Sequence, residues 1–165
     1  MRWRWTVPVL ALTTALAGCG VRPTGVLDAG EPAGGLGRGM RLYFASDDGL
    51  QPVPRPDVRL TSLDGALKLL IGGPSASERE AGLTNLVDWL ATIDARAAAP
   101  DRVTVHLTDG EGPVEPDLSV GQLVCTLARA QSLLRGSRPD RVRVTLVHTS
   151  GRSLGPYRCP QFLTR

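Results

Sequence analysis

The stretch Arg102-Val103-Thr104-Val105-His106-Leu107 alternates apolar and polar residues, which is typical of a strand with one buried face. Residues 119–135 then carry apolar residues at helical spacing, and Gly136 ends that pattern. Residues 141–148 alternate again, with Val142, Val144 and Leu146 on one side. We therefore predict a strand, a helix and a second strand in this half of the chain.

The preceding half contains a hairpin and a helix. Residues 41–46 alternate, Asp47-Asp48-Gly49 has turn composition, and residues 50–55 form a return strand. Three prolines place that return at a sheet edge, because proline has no N–H to donate. Residues 62–72 carry one apolar helical face, formed by Leu63, Ala66, Leu67, Leu70 and Ile71.

Capping boxes predict three helix starts, because a hydroxyl and a side chain three residues later can satisfy free N–H groups. The three pairs are Thr61 with Asp64, Ser75 with Glu78, and Ser119 with Gln122. Thr61-Ser62 supplies the N-cap of the first of these helices, and Asp117 adds negative charge near the start of the last. Trp89 lies in a stretch of uncertain structure, either in the core or as an exposed binding anchor.

The predicted fold class is α/β (α+β). It has a small mixed sheet of about four strands, with two main helices packed on one face. The strands are residues 41–46, 50–55, 102–107 and 141–148, and the helices lie near 62–72 and 119–135. The strand order is left open.

The first 19 residues form a leader. Arg2 and Arg4 give a basic start, an apolar run follows, and Leu16-Ala17-Gly18-Cys19 is a lipobox. The run is shorter than the roughly 20 residues that a spanning helix needs. We expect cleavage before Cys19 and lipidation of its sulfur; the alternative is an unlipidated secretory signal with a chance cysteine.

Three segments follow from this interpretation. Residues 1–18 are a lipoprotein signal peptide, residues 19–40 are the lipidated cysteine and a flexible tether, and residues 41–165 are one domain. Seven of the 21 residues from Gly20 to Met40 are glycine. Such a coil spans about 25 Å on average. A recognition segment that folds on binding is the alternative.

The charge balance argues against nucleic acid as a partner. The chain has 19 basic and 16 acidic residues, and two of the basic ones lie in the leader. The near balance that remains offers no field to attract a polyanion. We expect membrane lipid, through Cys19, and an envelope protein as partners.

Cys125 and Cys159 remain as an even pair once Cys19 is assigned to lipid, and exported chains meet oxidising conditions. We predict that they form a disulfide that fastens the tail to the last helix. In the chain-entropy model, closing a loop of about 34 residues stabilises by about 3–4 kcal/mol. Two buried, unpaired thiols are the alternative.

No catalytic residue or cofactor is predicted. The histidines, His106 and His148, lack the spacing of a zinc motif, and Asp47-Asp48 precedes a glycine as turns do. The loop at Gly72 lacks the lysine of a P-loop.

The domain resembles the GerMN family, found in spore-germination and cell-envelope lipoproteins. Four segments between residues 41 and 150 carry the resemblance: Leu63-x-x-Ala66-Leu67-x-x-Leu70-x-x-Gly73-Pro74, Gly82-Leu83, Val103-Thr104-Val105, and Asp117-Leu118 at the entry to the next helix. The leader and tether are similar to those of small lipoproteins of high-GC Gram-positive bacteria. The resemblance implies an α/β domain, no catalytic residues, and accessory or regulatory envelope roles related to sporulation or germination.

We therefore expect an extracytoplasmic, lipid-anchored interaction or regulatory module at the cell membrane, not an enzyme. A binding protein for cell-wall polymer or a small ligand is the alternative. An enzyme would require a cluster such as His106, His148 and a carboxylate.

Overall fold

The computed structural model describes residues 39–87, 93–108, 113 and 115–163. They form six strands and four helices. In chain order these are β1 Met40–Ser46, β2 Gly49–Arg55, α1 Leu63–Ile71, α2 Ala76–Glu80, β3 Ile93–Ala99, β4 Arg102–Leu107, α3 Leu118–Arg135, β5 Arg143–His148, β6 Ser153–Tyr157 and α4 Pro160–Leu163.

The strands form two sheets. β1 and β2 make an antiparallel hairpin, and the other sheet has the order β3-β4-β5-β6. β4 and β5 pair in parallel, since α3 crosses between them, whereas the two outer pairings are antiparallel. The larger sheet is therefore mixed.

The helix α3 forms the centre of the core. Twelve of its 18 residues are buried, so it is covered on almost every side. It contacts the hairpin, α1 and the larger sheet, whose buried face carries Val103, Val105 and Leu107 from β4 and Val144 and Leu146 from β5. Both main helices thus cover one face of the four-stranded sheet.

The beginning of the domain is fastened to α3. Nε and Nη2 of Arg129 donate to the Gly39 carbonyl at 3.0 and 2.6 Å. Burial is the main reason that the pKa of Arg129 is lowered, and the charge of Arg41 adds to it. Gly39, the first residue that the structure describes, is therefore held against α3.

Cys125 and Cys159 lie at disulfide distance, with 2.06 Å between the sulfurs, so the predicted pair is confirmed. Both are buried, because α4 packs against α3. Phe162 of α4 sits on Gly121, and its ring meets that of Tyr157 edge to face at 5.8 Å. The tail is therefore part of the domain core.

The predicted α/β class is confirmed, and all four predicted strands and both main helices are present. The strands do not share one sheet, however. The first two form a separate hairpin, and the four-stranded sheet is completed by β3 and β6, which the sequence analysis did not identify. β3 contains four alanines, and β6 contains Gly155 and Pro156, so neither has the composition of a strand.

Two of the three predicted capping boxes are wrong, whereas that of Ser75 with Glu78 is confirmed. Of the predicted N-cap pair Thr61-Ser62, Ser62 is the residue that caps α1, since its Oγ accepts from the Gly65 N–H at 3.0 Å. Asp117, rather than Ser119, caps α3. An extended residue whose side-chain oxygen reaches the N–H three residues later is the geometry that each cap requires.

Several predictions lie outside the described residues. They are the lipobox Leu16-Ala17-Gly18-Cys19, the tether up to residue 38, and Trp89. Within the described part of the chain, no helix is long and apolar enough to cross a membrane.

Candidate binding cleft

Gln131 is a buried polar residue near the end of α3. Its Nε2 donates to the carbonyls of Ala99 and Pro100 at 3.0 and 3.1 Å, which fixes the orientation of the amide. Its Oε1 is buried and has no hydrogen-bond partner, and it is the one such side-chain atom among the residues that the structure describes. Leaving a buried acceptor unpaired costs about 1–3 kcal/mol.

The strand β3 is an edge strand next to Gln131. Asp64, in the first turn of α1, accepts a hydrogen bond from the Ala95 N–H at 3.2 Å. Ala95 therefore points its backbone groups away from β4. In an antiparallel strand, the backbone N–H and C=O groups of successive residues point alternately toward and away from the partner strand. Ala97 lies two residues after Ala95 in the same register, so its backbone groups also point away from β4. Ala97 has no partner on that side among the described residues.

The outer edge of β1 is covered. Ala45 forms a two-way backbone bridge with Thr84, at 3.0 and 2.8 Å. The Tyr43 N–H donates to Oγ1 of Thr126 on α3 at 3.1 Å. An additional strand therefore finds no free N–H group at these two residues.

The edges of β2 and β6 carry prolines. Pro52 and Pro54 lie opposite Tyr43 and Arg41, the outward-pointing positions of the hairpin. The short strand β6 contains Pro156 and an irregular register. Proline and irregular pairing are features that keep a strand edge from accepting another strand. β3 also has a register irregularity, between Ala97 and Ala99, but it contains no proline, and its pairing with β4 is regular from Ile93 to Ala97.

A cleft of about 320 Å³ lies along this part of β3. We call it the β3 cleft. Its lining includes Asp64 of α1, Ala95 and Ala97 of β3, and Gln131, Leu134 and Arg135 of α3. Ala97 is exposed and Leu134 half-buried, so a bound chain would meet small apolar surface as well as backbone.

The two ends of the β3 cleft carry opposite charge. Asp64 lies at the Ala95 end, whereas the last turn of α3 lies at the Ala99 end, where Gln131 and Ser137 both contact the loop after β3. Arg135 is in that last turn, a position that the helix dipole favours for a cation. Arg135 makes no ion pair with any residue that the structure describes.

The two histidines do not form a site together. His106 is exposed and lies opposite Val147, whereas His148 is buried and lies opposite Leu107. Since neighbouring strands share side-chain direction at paired positions, the two rings lie on opposite faces of the sheet. Nη2 of Arg152 contacts Nε2 of His148 at 3.1 Å.

The other candidates considered in the sequence are structural. Asp47 and Asp48 are exposed in the turn of the hairpin. Gly73 has a φ of 74° at the end of α1. Within the described residues, no three metal-ligating side chains cluster.

Gln131 lies on the apolar face of α3 and was not predicted as a site residue. The available signal was a polar amide at a position whose helical neighbours are Val124, Leu127 and Leu134. Gln122 gives the same signal, and it is also fully buried. A polar residue at a core position requires a partner, and here the partners come from segments distant in sequence.

Comparison of the chain with protein-family models, curated proteins and solved structures finds no significant match. The resemblance to the GerMN family stays a prediction.

Proposed function

We propose that this protein is an extracytoplasmic lipoprotein that acts as a non-catalytic interaction module at the cell envelope. Its β3 cleft would bind an extended segment of a partner polypeptide. Lipid on Cys19 would hold it at the membrane, and the tether would give the domain about 25 Å of reach.

The observation that carries the proposal is the open edge at Ala97. Unpaired backbone groups on an edge strand recruit another strand, and proteins generally prevent this with proline, charge or a covering segment. Here the outward-pointing positions of the hairpin are blocked, whereas Ala97 lies open beside an unsatisfied Gln131. Strand addition uses backbone hydrogen bonds for affinity and adjacent pockets for side-chain selection.

The disulfide-distance pair supports an exported protein. Such pairs persist in oxidising compartments and are rare in the cytosol. This agrees with the secretory leader and with the lipobox that ends at Cys19.

The test places a photo-crosslinking amino acid at position 97 or at position 98 in living cells. Both alanines are exposed, but Ala97 lines the β3 cleft whereas Ala98 lines a different hollow of the sheet, so each is a control for the other. We expect a discrete polypeptide adduct from position 97 alone. Equal labelling from both positions, or no adduct from position 97, would contradict the proposal.

Lipid anchoring is tested separately with Cys19→Ala. This variant should move from the membrane fraction to the soluble or secreted fraction and lose the adduct at position 97. Retention in the membrane at the wild-type level would show that Cys19 is not the anchor.

Binding of a cell-wall polymer or a small ligand is the second candidate function, and a different surface favours it. The face of the larger sheet opposite α3 carries a hollow of about 360 Å³. Arg102 and Arg143 line it together with Thr104 and Thr145, which are donors suited to an oxygen-rich ligand. Labelling of polymer from position 98, without a protein adduct from position 97, would support this function instead.

A further inference from the structure

We infer that the β3 cleft takes the carboxy-terminal end of an extended peptide, with the terminal carboxylate at Arg135 and the peptide running parallel to β3. This inference rests on the proposed function, and it specifies the ligand class and orientation.

The direction follows from the placement of charge. Proceeding from Ala95 to Ala99, the cleft begins at Asp64 and ends at the last turn of α3. A carboxylate is repelled by Asp64 and attracted by Arg135. A bound chain whose carboxy end lies at Arg135 therefore has the same amino-to-carboxy direction as β3.

The guanidinium of Arg135 is available for this role. It is exposed on the cleft lining and has no acidic partner among the residues that the structure describes. The other arginines close to this region differ: Arg96 pairs with Asp94 at 2.5 Å, and Arg138 pairs with Asp140 at 3.2 Å. Arginine binds a carboxylate through two parallel hydrogen bonds, which adds geometric selectivity to the charge.

The length of the site limits the ligand. Ala95 and Ala99 are four residues apart, which corresponds to about 13 Å along a strand. The side chains of Asp64 and Gln131 already engage backbone groups at these two residues. The open stretch thus fits about three or four residues of a chain end, rather than a long strand that passes through.

Gln131 supplies the remaining recognition group. Its amide is fixed by the Ala99 and Pro100 carbonyls, so Oε1 can only act as an acceptor. Oε1 is buried, so an N–H of a bound peptide is a donor of the required kind only if the lining shifts when the peptide binds. Pairing with this donor would recover the free energy lost by leaving Oε1 unsatisfied.

The test uses tetra-alanine with fluorescein on its amino end, as the free acid and as the carboxy-terminal amide. Fluorescence anisotropy measures their binding to the full chain in detergent, with the Cys125–Cys159 pair oxidised. We expect the acid to bind about tenfold more tightly than the amide, as one charge-assisted pair implies. Arg135→Gln should remove this preference. Arg138→Gln, a neighbouring exposed arginine outside the lining, should leave it unchanged.

The outcomes separate the two proposals. Equal affinity for acid and amide would overturn the carboxylate assignment but leave peptide binding at β3 intact. Binding of neither peptide would overturn both. An acid preference that survives Arg135→Gln would also overturn the inference, and circular dichroism of this surface variant confirms that it is folded.

Discussion

Replacing Gly121 by alanine should destabilise the protein, although the same change stabilises most helices. A Cβ added at Gly121 would lie 2.7 Å from Cγ and Cδ1 of Phe162 and 2.8 Å from its Cβ. Carbon atoms in favourable contact are about 3.5–4.0 Å apart. One of the two residues must therefore move by close to 1 Å.

Phe162 has little freedom to move. It lies three residues after Cys159, which is joined to Cys125 one helical turn from Gly121. Its ring also packs on Tyr157 at 5.8 Å between centroids. Relief of the contact would thus require α4 to shift against a covalent connection.

The expected net loss is about 1–2 kcal/mol. Overpacking of a well-packed site costs about 1–3 kcal/mol. Alanine recovers about 0.5–1 kcal/mol, because glycine has more backbone entropy to lose in a helix. In a domain of this size, the net loss lowers the Tm by several degrees.

Two controls distinguish the steric contact with Phe162 from the general effect of replacing glycine by alanine in a helix. Gly65 of α1 has only ordinary contacts at its Cβ position, the nearest at 3.4 Å, so Gly65→Ala should stabilise by about 0.5–1 kcal/mol. Phe162→Gly removes all three opposing carbons. In that background Gly121→Ala should also become stabilising.

Urea unfolding of the oxidised protein, followed by circular dichroism, measures these free energies. The double-mutant cycle between positions 121 and 162 should give a coupling of about 1.5–3 kcal/mol. A Gly121→Ala variant that is as stable as Gly65→Ala would refute the reasoning, since it would mean that Phe162 does not occupy this position.

Three further changes test other parts of the fold. Gln122→Leu should lower the unfolding free energy by about 1–3 kcal/mol in urea titrations, because it leaves the Leu86 N–H without the acceptor now at 3.1 Å. The double Cys125→Ser/Cys159→Ser variant should lose about 3–4 kcal/mol, and dithiothreitol should affect the wild type alone. The pKa of Glu78 is lowered, chiefly by its hydrogen bond with Arg55. The ionised Glu78 side chain therefore stabilises the folded state fully above the unfolded-state pKa, and this stabilisation is lost as the pH falls through the folded-state pKa. Glu78→Gln should thus destabilise by less than about 1 kcal/mol at neutral pH, and its difference from the wild type should shrink in urea midpoints measured at progressively more acidic pH.

Local patterns predicted the elements that have strong composition. The alternation in residues 102–107 and 141–148 and the apolar spacing in 62–72 and 119–135 each correspond to a strand or helix in the structure. β3 was not predicted, because its alanines have low strand propensity and the strand exists through pairing with β4. The division into two sheets also depends on pairing between distant residues.

The β3 cleft could not be predicted, because its parts come from three separate regions of the chain. Asp64, Ala97 and Arg135 are far apart in sequence, and none belongs to a motif. Gln131 gave a weak signal as a polar residue in an apolar pattern. That signal indicates a hydrogen-bonding requirement but does not identify the partners.

The sequence by itself determined the α/β class, the hairpin and the two main helices, and it predicted the Cys125–Cys159 pair. The class, the hairpin and the helices follow from periodicity and turn composition, which depend on residues close together in sequence. The cysteine pair follows from counting, because two cysteines remain once Cys19 is assigned to lipid. Tertiary structure alone decided which strand edge stays open. An edge is open only when no proline, side chain or neighbouring segment reaches it, and that depends on where the rest of the chain packs.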